Sequence, residues 1–134
     1  MSPGQSAVPR DTVEAAIQRY YAAINARQPA AIAGVFAPDG VFHYPGRPPL
    51  HGRAAIEAAE QQILAPINTI TLTPEETYID GPRAAVKFGM RVRTRDGGSA
   101  SMEGIDTFVV NPDGTLQQVD VYYDARALVA LTTS

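Results

Sequence analysis

The sequence predicts an α+β domain in which a cone-shaped, curved antiparallel sheet wraps over three N-terminal helices. Two observations carry that prediction. In the first half, apolar residues recur at helical spacing, first as Val13, Ile17, Tyr20 and Ile24, then as Ile56, Ala59 and Ile63. In the second half the pattern changes to strict alternation, with reversals at Asp96-Gly97-Gly98 and Asn111-Pro112-Asp113-Gly114. Helices followed by hairpin-connected strands make an α+β arrangement.

Taken in order, residues 1–10 (MSPGQSAVPR) read as a flexible arm, and they lack the apolar core of a signal peptide. Residues 11–134 read as a single domain, a length that supports one core and not two. Asp11 is the expected N-cap of the first helix, with Glu14 three residues on completing a capping-box-like start. Pro29 suits the first turn of a short second helix, expected to carry Ile32, Val35 and Phe36 and to end before Pro38. Residues 40–44 read as a strand that Pro45, Pro48 and Pro49 cannot continue. The third helix is expected over 53–64, stopped by Pro66, with Ile56, Ala59, Glu60 and Ile63 facing inward. Residues 68–73 and 77–80 are strand-like, and Pro74 is expected to separate them. A long strand over 84–95 alternates Val86, Phe88, Met90 and Val92 with Lys87, Gly89, Arg91 and Arg93, whose basic face is expected in solvent. Two further strands follow, around 99–110 and up to Tyr123.

Composition excludes several functions. The net charge is −3, and no basic cluster exceeds Arg91–Arg95, so nucleic acid is not an expected partner. The absence of Cys rules out disulfides, thiolate metal sites and Cys nucleophiles. Two His residues eight positions apart are too few for a structural zinc site, so neither metal nor cofactor is expected. No apolar run approaches the roughly 20 residues that span a bilayer, and the expectation is a cytoplasmic protein with no membrane partner.

Two carboxyl groups break the apolar pattern. Asp106 shares a strand face with Phe108 and Val110, and Glu60 falls on the inward stripe of its helix. A buried carboxyl needs a partner or changes its protonation state. Tyr20 also points inward, where a core role with its hydroxyl satisfied is the ordinary one. Glu103 lies close to Asp106 in sequence but faces the other way, into solvent. Polar groups converging in an apolar interior are the usual mark of a small-molecule site.

RYYAAINARQPAAIAGVFAPDG (19–40), PGRPPLHGRAAI (45–56), GIDTF (104–108) and VYYD (121–124) resemble the nuclear-transport-factor-2-like superfamily. Within it, the chain resembles the ketosteroid isomerases and their polyketide-cyclase and epoxide-hydrolase relatives, over roughly 13–124. That resemblance implies a homodimer and a pocket for a small hydrophobic, steroid- or polyketide-like substrate. It places Tyr20 at the oxyanion Tyr and Asp106 at a protonated Asp, the pair that holds a dienolate oxygen in ketosteroid isomerase. Tyr123 falls where the family has an aromatic pocket residue. Phe36, Phe42, Ile56, Ile63, Phe88, Met90, Phe108 and Val121 are the other expected lining residues.

The departure is at the base. The family's proton-shuttling Asp immediately precedes a Pro, and here Tyr44 precedes Pro45. A phenol is a poor base at neutral pH. His43 is better matched and is the other candidate base: regular alternation turns it away if Tyr44 faces in, and a bulge beside Pro45 would bring it inward. Glu60 occupies a position where related isomerases often carry a pocket Tyr, and its burial would suit it to acid–base work. The expected activity is proton transfer next to a carbonyl, leading to isomerisation, cyclisation or dehydration. A hydrophobic-ligand-binding domain without catalysis and an epoxide hydrolase or cyclase of the same fold are the alternatives.

Overall fold

The computed structural model describes residues 8–124. Helix α1 spans Arg10–Asn25 and α2 spans Pro29–Gly34. Strands β1 (Phe36–His43) and β2 (Leu50–His51) precede α3 (Arg53–Leu64). Strands β3 (Ile67–Asp80), β4 (Arg83–Thr94), β5 (Ser99–Val110) and β6 (Leu116–Tyr122) follow. They form one curved, open sheet in the order β2-β1-β6-β5-β4-β3. Every neighbouring pair is antiparallel except β1 and β6. The expected α+β architecture is therefore present, with α3 entering between the second and third strands.

The core lies between the helices and one sheet face. Val13, Ile17 and Tyr20 of α1 share it with Ile56 of α3, Phe42 of β1, Phe88 of β4, Phe108 of β5 and Val119 of β6. Gly104 lets β5 pass under this layer. A Cβ there would stand 2.5 Å from the Phe88 ring and 2.6 Å from the Tyr122 carbonyl. The opposite face carries the Lys87–Glu103 ion pair and the exposed Tyr78, Ile105 and Tyr122.

Several local expectations are corrected. Asp11 does not cap α1. Pro9, extended at φ −62° and ψ 146°, precedes the helix, and its carbonyl accepts from the Thr12 and Val13 amides. Glu14 pairs with Arg10 at 3.0 Å instead of reaching back to the cap. The arm expected over 1–10 falls mainly outside the described residues. Helix α2 stops at Gly34, and Phe36 begins β1. The first strand thus starts four residues earlier than its sequence suggested. A register shift between Phe36 and Val41 lets it carry Pro38. Pro74 does not divide β3. It sits in a strand at the sheet edge, where a missing amide donor is tolerated, and a register shift between Pro74 and Glu76 absorbs it. On α3 the buried residues are Ile56, Glu60 and Leu64, while Ala59 and Ile63 are only half-buried. The stripe runs at i, i+4, i+8.

Candidate functional site

Five polar side chains enter the apolar interior, from three elements and the loop after β1. Tyr20 and Tyr21 come from α1, Glu60 from α3 and Asp106 from β5, and Tyr44 directly follows β1. Asp106 is fully buried and Glu60 is 1% exposed. Asp106 is inward because it alternates with the outward Ile105 and Thr107 and pairs across the ladder with Val86 and Val121. Glu60 is inward because it stands one helical turn from Ile56 and one from Leu64.

Each carboxyl is matched to a phenol. The Tyr21 hydroxyl donates to Asp106 Oδ2 at 2.7 Å. The Tyr44 hydroxyl donates to Glu60 Oε1 in a short hydrogen bond. The other Asp106 oxygen, Oδ1, is buried with no hydrogen-bond partner among the described residues. Burial pushes the Asp106 carboxyl up to about 7, against the pull of the Tyr21 bond. Burial likewise lifts Glu60 to about 7, while the Tyr44 bond and the nearby Arg47 guanidinium hold it down.

Tyr20 sits among these groups. Its ring packs edge-on to Tyr21 at 5.1 Å, Phe108 at 5.2 Å and Phe42 at 5.9 Å. Burial raises its hydroxyl well above the ordinary phenol range, and Asp106, Tyr44, Tyr21 and Glu60 push it further. It stays a neutral donor. Burial also raises Tyr123, which is half-buried and packed on the core cluster.

His43 does not join them. Its ring lies with Asp120 Oδ1 at 3.3 Å from Nδ1 and the Arg47 carbonyl at 3.0 Å from Nε2. The alternation that brings Tyr44 to Glu60 turns its neighbour to Asp120. A tight turn then reverses the chain: the Arg47 amide donates to the Tyr44 carbonyl, and Gly46 takes φ +74°, which favours glycine. This turn sets Arg47 close enough to favour the ionised forms of Glu60 and Tyr123. Of the expected lining residues, Phe36, Phe42, Ile56, Phe88, Met90, Phe108 and Val121 are buried in the core cluster, and Ile63 is half-buried.

Two residues were missed by sequence reasoning. Tyr21 was legible, since it continues Val13 and Ile17 at intervals of four. Arg47 gave no signal, because only the folded turn brings it near Glu60.

A curved, open sheet over N-terminal helices, with carboxyls and phenols paired inside, defines a nuclear-transport-factor-2-like domain. The chain belongs to the SnoaL-like domain family, which it matches over residues 17–119. It is similar to a steroid Delta-isomerase from Nocardioides simplex, at 29% identity over 113 residues covering 83% of this chain and 89% of the relative. Two solved structures are similar in fold. One is an NTF2-like protein of unknown function from Burkholderia pseudomallei, at 20% identity and TM-score 0.82, covering 92% of this chain and 98% of that one. The other is the epoxide hydrolase/cyclase-like enzyme SalBIII, linked to pyran ring formation in polyether salinomycin. It has 17% identity and a TM-score of 0.75, over 87% of this chain and 94% of its own. No helix among the described residues is long and apolar enough to cross a membrane.

Proposed function

We propose that the protein is an enzyme that moves a proton next to the carbonyl of a small hydrophobic, steroid- or polyketide-like substrate. The observation that carries this reading is the buried Asp106 Oδ1, without a hydrogen-bond partner among the described residues and within electrostatic reach of the Tyr20 hydroxyl. A neutral Asp106 and a neutral Tyr20 both present donors there, and a carbonyl oxygen accepts from both. The resemblance to a steroid isomerase and to a cyclase-like enzyme supports the same class.

The reaction then needs a base. Glu60, as carboxylate, takes a proton from the carbon next to the carbonyl. The C–H electron pair becomes a C=C bond, and the carbonyl π pair moves onto oxygen, where Tyr20 and Asp106 stabilise it. Glu60 returns the proton to another carbon for isomerisation. The same enolate can instead expel a β-leaving group or attack a second carbonyl. Glu60 is preferred over His43 because it faces the interior, whereas the His43 ring is engaged with Asp120 and the Arg47 carbonyl. Tyr44 holds Glu60 and favours its ionised form.

Phenols that mimic an enolate are expected to bind through the oxyanion pair. Tyr20→Phe and Asp106→Leu should each weaken that binding by about 1–3 kcal/mol, the range for a lost charge-assisted hydrogen bond. Calorimetry with a nitrophenol tests this, and unchanged affinity in both folded variants rejects the oxyanion assignment. The protein is further inferred to work as a cytoplasmic homodimer. The open sheet face with exposed Tyr78, Ile105 and Tyr122 supports an association that would cover it. Sedimentation at micromolar concentration should give twice the chain mass, and a monomer mass rejects it.

A further inference from the structure

The Tyr21–Asp106 bond has a function of its own. We infer that Tyr21 is a positioning residue that fixes the Asp106 proton on Oδ1, so that the neutral carboxyl donates only to a ligand oxygen. The inference rests on the proposed reading of Asp106 as an oxyanion donor and deepens it. It predicts which oxygen donates and what orients it.

A neutral carboxyl has one O–H donor, and its other oxygen acts as acceptor. Oδ2 already accepts from the Tyr21 hydroxyl at 2.7 Å. A proton on Oδ2 would have to donate to the Tyr21 oxygen, and the Tyr21 hydroxyl would then need another acceptor. Among the described residues Asp106 is the one hydrogen-bond partner of that hydroxyl. With a ligand oxygen in the site, the arrangement that satisfies both donors is the one with the proton on Oδ1 and the Tyr21 hydroxyl donating to Oδ2. Oδ1 is buried without a hydrogen-bond partner among the described residues, and an unused buried donor is costly unless something else accepts from it. A ligand carbonyl or enolate oxygen satisfies it. Tyr21 is held for this task by its own packing, edge-on to Tyr20 and 6.3 Å from the Phe108 ring centroid.

The bond has two opposed effects. It orients the neutral acid, and it stabilises the ionised one, since it draws the Asp106 carboxyl down against burial. The other titratable groups that face this carboxyl are Tyr20 from α1, Tyr44 after β1, Tyr123 after β6 and, next to Tyr20, Glu60 from α3. Removing Tyr21's hydroxyl should thus weaken the donor while letting it persist to higher pH. A role in packing alone predicts no such shift.

The test uses the full chain and a nitrophenol acidic enough to remain a phenolate throughout. Tyr21→Phe should bind it roughly three- to tenfold more weakly below the Asp106 titration. The carboxyl carbon of Asp106, followed by NMR, should titrate at higher pH than in the parent, and the pH at which phenolate binding is lost should rise with it. Asp106→Asn provides a second arm should Tyr21→Phe fail to fold. Its carbonyl would accept from Tyr21 and its amide N–H₂ would face the ligand, so binding should exceed that of Asp106→Leu and lose its pH dependence. Unchanged Asp106 titration in folded Tyr21→Phe overturns the inference, as does Asn binding no better than Leu. Phenolate affinity that depends on Asp106 but not on Tyr21 rejects this inference alone. Affinity independent of Asp106 rejects the oxyanion reading beneath it.

Discussion

Glu60→Gln should bind an enolate-like phenol as the parent does and turn over about 10²–10⁴ times more slowly, the usual worth of a positioned acid–base group. The amide keeps the shape and still accepts from Tyr44, but it cannot take a proton from carbon. The position has what a base needs. It is buried, titrates at about 7, and shares a short hydrogen bond with Tyr44, which stands where the resemblance to ketosteroid isomerases leads one to expect an Asp. Tyr44 thus reaches across to the carboxyl that the strand lacks. Tyr44→Asp should restore a carboxylate on the strand beside Glu60 and raise isomerisation of a β,γ-unsaturated ketone above the parent. The two acids would then titrate as a pair, broadening or splitting the pH profile. Full activity in folded Glu60→Gln eliminates Glu60 as the base.

The second large effect is on stability, and its sign is the reverse of the usual carboxylate case. Asp106 and Glu60 both titrate at about 7 when folded, against about 4 for exposed carboxyls. As pH rises past 4, the unfolded chain releases these protons while the folded chain keeps them. Stability should therefore fall between about pH 4 and pH 7 and level off above. Each group contributes on the order of 3–4 kcal/mol across that window, at most. Asp96 and Asp113 work the other way, because their turn hydrogen bonds hold them below the ordinary range, and their contribution is lost only in stronger acid. Urea midpoints at pH 5 and pH 8 provide the check. The parent should be less stable at pH 8, and Asp106→Asn should flatten the difference. A parent that gains stability from pH 5 to pH 8 contradicts the buried neutral carboxyls.

In the proposed mechanism Glu60 works ionised and Asp106 protonated, and both titrate near neutrality. A narrow bell of activity around pH 7 follows.

The sequence exposed Asp106 and Glu60 because each breaks a period that the rest of its element obeys. A strand with side chains at intervals of two, flanked by hairpin turns, leaves little doubt about the face of Asp106. A helix with intervals near four does the same for Glu60. The choice between Tyr20 and Tyr21 was not legible at that level. Neighbours on a helix differ by about 100°, and both fall within the broad buried arc of α1, so only the crossing of helix over sheet decides which hydroxyl meets Asp106. The Tyr44–Glu60 pair is a tertiary contact across 16 positions that no local pattern encodes. Pro74 was misread for a related reason: whether a proline breaks a strand depends on its place in the sheet, and β3 is at the edge.

Hydrogen–deuterium exchange at the α-carbon of a ketone tests the central claim most directly, because it requires neither the native substrate nor a completed reaction. In D₂O near pH 7, with a cyclic ketone shown by calorimetry to occupy the site, the parent should accelerate deuterium incorporation well above the buffer rate. Tyr20→Phe, Asp106→Leu and Glu60→Gln should each reduce that acceleration. Exchange at the buffer rate while the ketone is bound would contradict proton transfer and leave the protein a binding domain.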